Sequence, residues 1–296
     1  MPVAHSGCSM TKYLENAWSE IEQVVARALA EDVGAGDVTT EALVPADLEA
    51  SASILAKRDG VLAGMDVVKE VFRQVDPSLR VKALVKDGAR VKKGQVVGKV
   101  RGRVASILKG ERVALNFLQR MSGIAAETAR YVEAVAGTKA VITDTRKTAP
   151  GLRVLDKYAV QVGGGRNHRM NLADGVLIKD NHLVALRSRS MTLEDAVRKA
   201  RERVPRGLKV EVEVGSIEEL EEALSAGADS IMLDNMKLEE MRRAVRLVRG
   251  RALVEASGGI TLDNVRSVAE TGVDLISVGA LTHSTTALDI SLELEL

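Results

Sequence analysis

The chain has 296 residues, enough for one large domain or two modest ones around a sizeable core. Lys+Arg 42 and Asp+Glu 41 nearly cancel and aromatic residues make up only 2%, which excludes the basic face and stacking rings of a nucleic-acid-binding protein. The single cysteine, Cys8, excludes an internal disulfide framework, and no apolar run approaches the ~20 residues of a membrane helix.

The lead MPVAHSGCSMTK has no basic segment running into an apolar one. It is therefore read as a disordered stretch over residues 1–10 rather than a secretion signal, and a soluble cytoplasmic protein is expected. Tyr13 to Ala30 carries Leu14, Ile21, Val24, Val25, Ala28 and Leu29 on one stripe and predicts an amphipathic helix. A glycine-punctuated loop is expected over 31–40. A strand pair is expected over Glu49–Ala63, turning at Arg58-Asp59-Gly60, and a short helix over Met65–Gln74. RVKALVKDGARVKKGQVVGKVRGRVASIL then reads as short strands broken by glycines. Its VKKGQVVG string is similar to half of a lipoyl or biotinyl carrier domain, but the flanking pattern around Lys92 and Lys93 and the second half are missing. A structural β-layer is the expectation.

GERVALNFLQRMSGIAAETARYVEAV predicts two helices meeting near Ser122-Gly123. After Gly137, apolar strands alternate with helical patterns. The strands are expected at 139–143, 175–179, 209–214, 230–234, 252–256 and 275–279, and the helices at 150–162, 192–204, 217–226, 237–248 and 262–271. Pro150 suits a first helical turn, Ser216 with Glu219 a capping box, and Thr261 an N-cap. That alternation predicts parallel βαβ units, about six of them, in a barrel or partial barrel. ALDISLELEL reads as one more strand, returning to the N-terminal layer.

Asp144 to His182 carries Arg146, Lys147, Arg153, Lys157, Arg166, His168, Arg169 and Lys179, clustered at the edges of apolar runs and around Gly163–Gly165. Cations at strand ends beside glycines suit a pocket for a small, multiply anionic substrate. In a barrel the C-terminal strand ends bear the reactive groups. Here those ends read Thr145-Arg146-Lys147, Lys179-Asp180-Asn181, Asp234-Asn235, Ser257-Gly258-Gly259 and Gly279-Ala280. Glu211 and Glu213 share one face of VEVEV, against Val210, Val212 and Val214 on the other. Either this is an edge strand with a wet face, or the glutamates meet a lysine, ribose hydroxyls or Mg²⁺ inside the barrel. Ser257-Gly258-Gly259 and Val278-Gly279-Ala280, at successive strand ends, suit a phosphate. His168 and His283 fit satisfied structural histidines, although the NHR context of His168 suits a hydrogen bond to an anion.

TDTRKTAPGLR, GGGRNHRMNLADGVLIKDNH, VEVEV, MLDNM, EASGGI and DLISVGALTHS, with EDVGAGDVTT, GVLAG and GERVALNFLQRMSGIA, resemble the quinolinate phosphoribosyltransferase family almost end to end. The resemblance implies an N-terminal α/β sandwich (11–120 with 284–296) and an incomplete, about six-stranded parallel α/β barrel (121–283), paired head to tail in a homodimer. It implies transfer from phosphoribosyl pyrophosphate to quinolinate with Mg²⁺, giving nicotinate mononucleotide, pyrophosphate and CO₂ in de novo NAD biosynthesis. By the same resemblance Thr145, Arg146, Lys147, His168, Arg169 and Lys179 form the quinolinate site, and Arg112 reaches in from the neighbouring subunit. Glu213 and Asp234, with Glu211 as a second candidate, lie near the ribose hydroxyls and metal. Ser257, Gly258, Gly259, Val278, Gly279, Ala280 and His283 take the 5′-phosphate. The complete TRK, NHR and KDNH set argues against a paralogue with another anionic acceptor. Four clustered cations have no use in a sugar-phosphate aldolase or isomerase.

Overall fold

The computed structural model describes residues 10–295; residues 1–9, most of the expected disordered lead, lie outside the described residues. The chain begins with α1 (Met10–Val33) and α2 (Val38–Leu43), followed by β1 (Glu49–Ala56), β2 (Gly60–Val61) and α3 (Met65–Val75). Next come β3 (Arg80–Ala83), β4 (Arg90–Val91), β5 (Val96–Arg103) and the long α4 (Val104–Ala134). Then β6 (Val141–Thr143), α5 (Arg153–Val162), β7 (Val176–Ile178), α6 (Asp180–Arg187) and α7 (Leu193–Arg203) lead to β8 (Val210–Val214). The chain continues through α8 (Ile217–Ser225), β9 (Ser230–Asp234), α9 (Leu238–Val248), β10 (Leu253–Ser257), α10 (Val265–Ala269) and β11 (Leu275–Ser277). It ends with α11 (Ala280–His283) and β12 (Ile290–Glu295). The described residues form two compact units: those up to Ala129 with Thr148–Gly164 and those from Leu281 onward, and Arg130–Lys147 with Gly165–Ala280.

In the first unit β12, β1, β5 and β3 form an antiparallel sheet in that order, so the C-terminal strand does return to the N-terminal layer. The core includes Ile54, Phe72, Ile107, Leu118 and Met121, all fully buried. Three expectations fail here in whole or in part. The loop expected over 31–40 is confined to 34–37, because α1 runs on to Val33 and Asp37 caps α2 by accepting Thr40 N–H at 3.0 Å. The Asp59-Gly60 hairpin does not form. Asp59 instead accepts Lys93 N–H at 2.9 Å and Lys92 Nζ at 2.8 Å, and β2 pairs with β4. Both carrier-like lysines thus meet Asp59, one through its side chain and one through its backbone.

The third failure is the break at Ser122-Gly123, where α4 runs unbroken for 31 residues. Gly123 is there for contact, since a Cβ would overlap Thr286 O and lie 3.0 Å from Ala287 Cα. Gly123→Ala is expected to cost about 2–3 kcal/mol of stability by overpacking against backbone. Denaturant unfolding checks this, and a neutral result would refute the close packing.

The second unit is built on a six-stranded parallel sheet, order β6-β11-β10-β9-β8-β7. Between its two edge strands a single parallel bridge, Thr143 to Arg166, brings the Arg166–Arg169 segment alongside β6. β8 is an interior strand, so the wet-edge reading of its glutamates is excluded. Ser216 does cap α8, accepting Glu219 N–H at 3.2 Å, while Glu219 turns to Gly215 N–H. Pro150 instead precedes α5, whose N-cap is Leu152, and α10 is capped at Asn264 rather than Thr261. The segment 180–187, given no element from the sequence, is the helix α6.

Candidate active site

Because all six strands are parallel, their C-terminal ends lie on one edge, and register decides which side chains meet. Leu177 lies opposite Glu211 and Glu211 opposite Ser230. Two residues further along, Lys179 comes level with Glu213, and its Nζ is 2.8 Å from Glu213 Oε2. Asp234 lies opposite Ser257 at the next level. His182 Nδ1 accepts the Lys179 backbone N–H at 2.9 Å, which fixes the lysine at the start of α6.

The following turns are pinned to one another. Asn235 N–H donates to Ser257 O at 3.0 Å, and Asn235 itself takes a left-handed backbone at φ 52°. Gly258 and Gly259 are left-handed too, at φ 86° and 61°, and a Cβ on Gly258 would overlap the Asn235 side chain. Only glycine lets these two turns close together, leaving bare backbone beside Asp234. Val278 N–H donates to Thr143 O at 2.9 Å, setting Gly279 and Ala280 beyond the same edge.

The cations after β6 sit differently. Thr145 Oγ1 accepts Lys147 N–H at 3.1 Å, shaping the turn in which Arg146 is half-buried and Lys147 exposed. Arg169 donates from Nη1 to Gly175 O at 3.0 Å. Burial first, then the nearby Arg146 charge, hold its guanidinium below the usual arginine range, while Glu211 acts in the opposite sense. Two half-buried guanidinium groups repelling each other mark a place that an anion would relieve.

His168 is not aimed at a ligand through its ring nitrogens. Nδ1 accepts Arg169 N–H at 2.9 Å, and Nε2 lies 3.0 Å from Glu211 Oε2. Glu211 also takes the Ser230 hydroxyl at 3.0 Å. The sequence reading missed three more groups of this interior. Asp144 is fully buried and its Oδ1 accepts His168 N–H at 2.8 Å. The buried side-chain amide of Asn167 makes no hydrogen bond among the described residues. Glu255 is fully buried on the face it shares with Ser257. A glutamate inside an otherwise apolar parallel strand, as in Val254-Glu255-Ala256, is the signal that could have found it. Arg112 and His283 belong to the first unit and are exposed; His283 Nδ1 lies 2.6 Å from Ser284 Oγ.

Models of the quinolinate phosphoribosyl transferase C-terminal and N-terminal domains match residues 124–293 and 37–122. The chain belongs to the quinolinate phosphoribosyltransferase family. It is 46% identical over 292 residues to quinolinate phosphoribosyltransferase [decarboxylating] 2b, mitochondrial, of Nicotiana tabacum, covering 93% of this chain and 82% of that protein. It is 42% identical over 277 residues to the probable nicotinate-nucleotide pyrophosphorylase [carboxylating] of Bacillus subtilis, covering 94% of each. Among solved structures, NadC from Streptococcus pyogenes superposes with a TM-score of 0.89 at 43% identity, over 94% of this chain and 97% of that one. The mixed α/β architecture, an antiparallel N-terminal sheet and a six-stranded parallel sheet with helices, is that of the family.

Like its relatives the chain is a phosphoribosyltransferase of the carboxylating nicotinate-nucleotide pyrophosphorylase type. No described helix is long and apolar enough to cross a membrane. A quinolinate phosphoribosyltransferase has to bring together a diacid and a phosphorylated sugar. Glu213 and Asp234, with Asp180, line one cavity of about 180 Å³ beyond the strand ends. Oxygen donors of this kind, one or two carboxylates with room for substrate phosphates, fit Mg²⁺. His168, Glu211 and Glu255 also bring their polar atoms within 4.8 Å of one another. They do not fit a metal, because the Arg169 N–H bound at Nδ1 leaves the ring proton on Nε2 and no lone pair there.

Proposed function

We propose that quinolinate binds over Arg146, Lys147, Arg169 and Lys179, and that phosphoribosyl pyrophosphate lies between Glu213 and Asp234 on one side and the Ser257–Gly259 and Val278–Ala280 turns on the other. What supports this reading is Lys179 held beside Glu213 at the C-terminal strand ends, together with the two guanidinium groups of Arg146 and Arg169, whose like charges act on each other. A planar diacid offers each guanidinium a two-pronged partner. The pyridine nitrogen then attacks the anomeric carbon as its bond to pyrophosphate breaks. The carboxylate beside the nitrogen leaves as CO₂, and the electron pair left on the ring carbon takes up a proton. Glu213 and Asp234 favour the positive charge that develops on the sugar, and the fixed cations favour the electron-rich ring. Mg²⁺ held by Glu213 and Asp234 would neutralise pyrophosphate oxygens.

The assay that tests the assignment supplies quinolinate, phosphoribosyl pyrophosphate and Mg²⁺ and follows nicotinate mononucleotide, with nicotinate as control acceptor. Turnover with quinolinate alone is expected, lost on chelation and restored by Mg²⁺. Equal turnover of nicotinate would overturn the diacid site.

The reading includes a homodimer in which Arg112 of a second copy completes each site. It is supported by the exposure of Arg112, which makes no hydrogen bond or ion pair among the described residues. Arg112→Ala is expected to fold and lose turnover. Mixing it with Lys147→Ala should restore activity, up to a quarter of the native level from one intact site in each mixed dimer. No recovery under demonstrated subunit exchange would refute the shared site. The cytoplasmic location is part of the same reading, and cell fractionation tests it.

A further inference from the structure

The interior of the parallel sheet holds more carboxylate than it has cations to match. Glu255 is 0% exposed, and neither of its oxygens makes a hydrogen bond among the described residues. The nearest cation candidate is His168 Nε2, 3.6 Å from Glu255 Oε2. Glu211 is only 3.0 Å from the same nitrogen. The charged groups acting on Glu255 are Glu211 from β8, His168 from the Asn167–Arg169 turn and Asp144 at the end of β6; β11 adds the Ser277 hydroxyl. β9 presents Met232 at its level and Ser230, which is engaged with Glu211.

The state of His168 follows from its other nitrogen. Nδ1 accepts the backbone N–H of Arg169, so it carries a lone pair and the ring is neutral, with its one proton on Nε2 facing Glu211. Were the ring an imidazolium, a proton on Nδ1 would face the Arg169 N–H and that bond would be lost. Two ionised carboxylates against Nε2 in a dry interior would drive the ring to that state. The bond therefore requires one of the two acids to be neutral. Glu211 is the better anion, because it accepts hydrogen bonds from both His168 and Ser230.

We propose that Glu255 is held as a neutral carboxylic acid and so keeps His168 in the single tautomer that latches the Asn167-His168-Arg169 turn, which makes Glu255 a positioning residue for Arg169. Burial, and next the Glu211 charge, raise its pKa from 4.5 to about 7, opposed by His168 and Ser277. A cavity of about 380 Å³ lined by Thr143, Asn167, His168, Glu211, Ser230 and Glu255 gives that proton a path to exchange. As pH passes about 7 the acid gives its proton to solvent, and a second carboxylate then competes with Glu211 for the single Nε2 proton of the neutral ring, which pulls the imidazole and the Arg169 backbone bonded to it out of register.

The inference rests on the diacid site proposed above for its effect on activity, but two of its three readouts need no substrate. A carboxyl whose folded pKa is raised contributes stability that is full below 4.5 and is lost as pH rises through about 7. Relative to Glu255→Gln, whose neutral amide cannot ionise, the native folding equilibrium should fall by up to roughly a hundredfold between pH 5 and 8. A pH-independent difference would overturn the neutral acid. Nitrogen-15 NMR of the native protein at pH 6 should show His168 protonated at Nε2 alone; an imidazolium there would overturn the latch. The KM for quinolinate should rise above pH 7 in the native enzyme and stay level in Glu255→Gln, with kcat little changed. If the stability and NMR results hold while KM behaves alike in both proteins, the acid is neutral but Arg169 is not positioned by it, and the positioning role fails. Should quinolinate not be turned over at all, the first two measurements still decide the state of Glu255.

Discussion

Arg169→Ala is expected to lower kcat/KM for quinolinate by about three orders of magnitude, or ~4 kcal/mol of transition-state binding. That figure is two charge-assisted hydrogen bonds to one carboxylate at about 2 kcal/mol each. The guanidinium is aimed by its bond to Gly175 O and stands against Arg146, whose charge opposes it. The unliganded protein thus bears a repulsion that the substrate removes. Alanine removes it too, so the variant without ligand should unfold at the same temperature as the native protein or slightly above. A rise in melting temperature with quinolinate, present in the native protein, should vanish in the variant. Arg169→Lys keeps the charge but not the planar fork, and should recover only part of the loss. An unchanged KM for quinolinate in Arg169→Ala would remove this residue from the diacid site. A large drop in unliganded stability would show the guanidinium to be structural.

The same two residues show how far the sequence could be read. TRK and NHR stand out as cations among glycines, and period-two alternation in VEVEV puts Glu211 and Glu213 on one face. A parallel sheet then carries Lys179 to the level of Glu213 by register alone. What alternation does not show is which glutamate is spent on the fold. Glu211 goes to His168 and Ser230, both remote in sequence, whereas Glu213 reaches the strand edge. Glu255 does carry a signal, an acid inside the apolar Val254-Glu255-Ala256 run, but the partners it meets there, Glu211 and His168, come from distant segments and only the fold shows them. The misread turns share another cause. Glycine at 123 and Asp59-Gly60 are local signals for a break and a hairpin, and each was overruled by a distant contact, with Thr286 in one case and Lys93 in the other. Likewise Asn235 has no character of its own in LDNM. It is fixed by Ser257 and Gly258, in the next strand and turn.

The Lys179–Glu213 pair yields the second large effect. In the unliganded protein Glu213 holds Lys179 Nζ at 2.8 Å with the lysine 42% and the glutamate 14% exposed. Quinolinate must therefore win the lysine from a neighbouring carboxylate before it can bind. Glu213→Gln removes that competitor, so the KM for quinolinate should fall by a few-fold, to the extent that a half-exposed pair worth about 1 kcal/mol is released. At the same time the sugar loses an acid that steadies positive charge as pyrophosphate departs, and kcat should drop by 10²–10³, about 3–4 kcal/mol. Opposite signs in KM and kcat are the signature of a group that opposes substrate binding yet favours the transition state. Lys179→Met provides the control, because it should raise the KM for quinolinate and leave Glu213 unpaired. In the double variant the KM increase should match that of Lys179→Met alone, while the kcat losses multiply if the lysine serves the diacid and the glutamate serves the sugar. If the double variant is no slower than Glu213→Gln, the glutamate acts only by holding the lysine. The charge that aids departure of pyrophosphate would then have to come from Asp234, the other acid on the same edge.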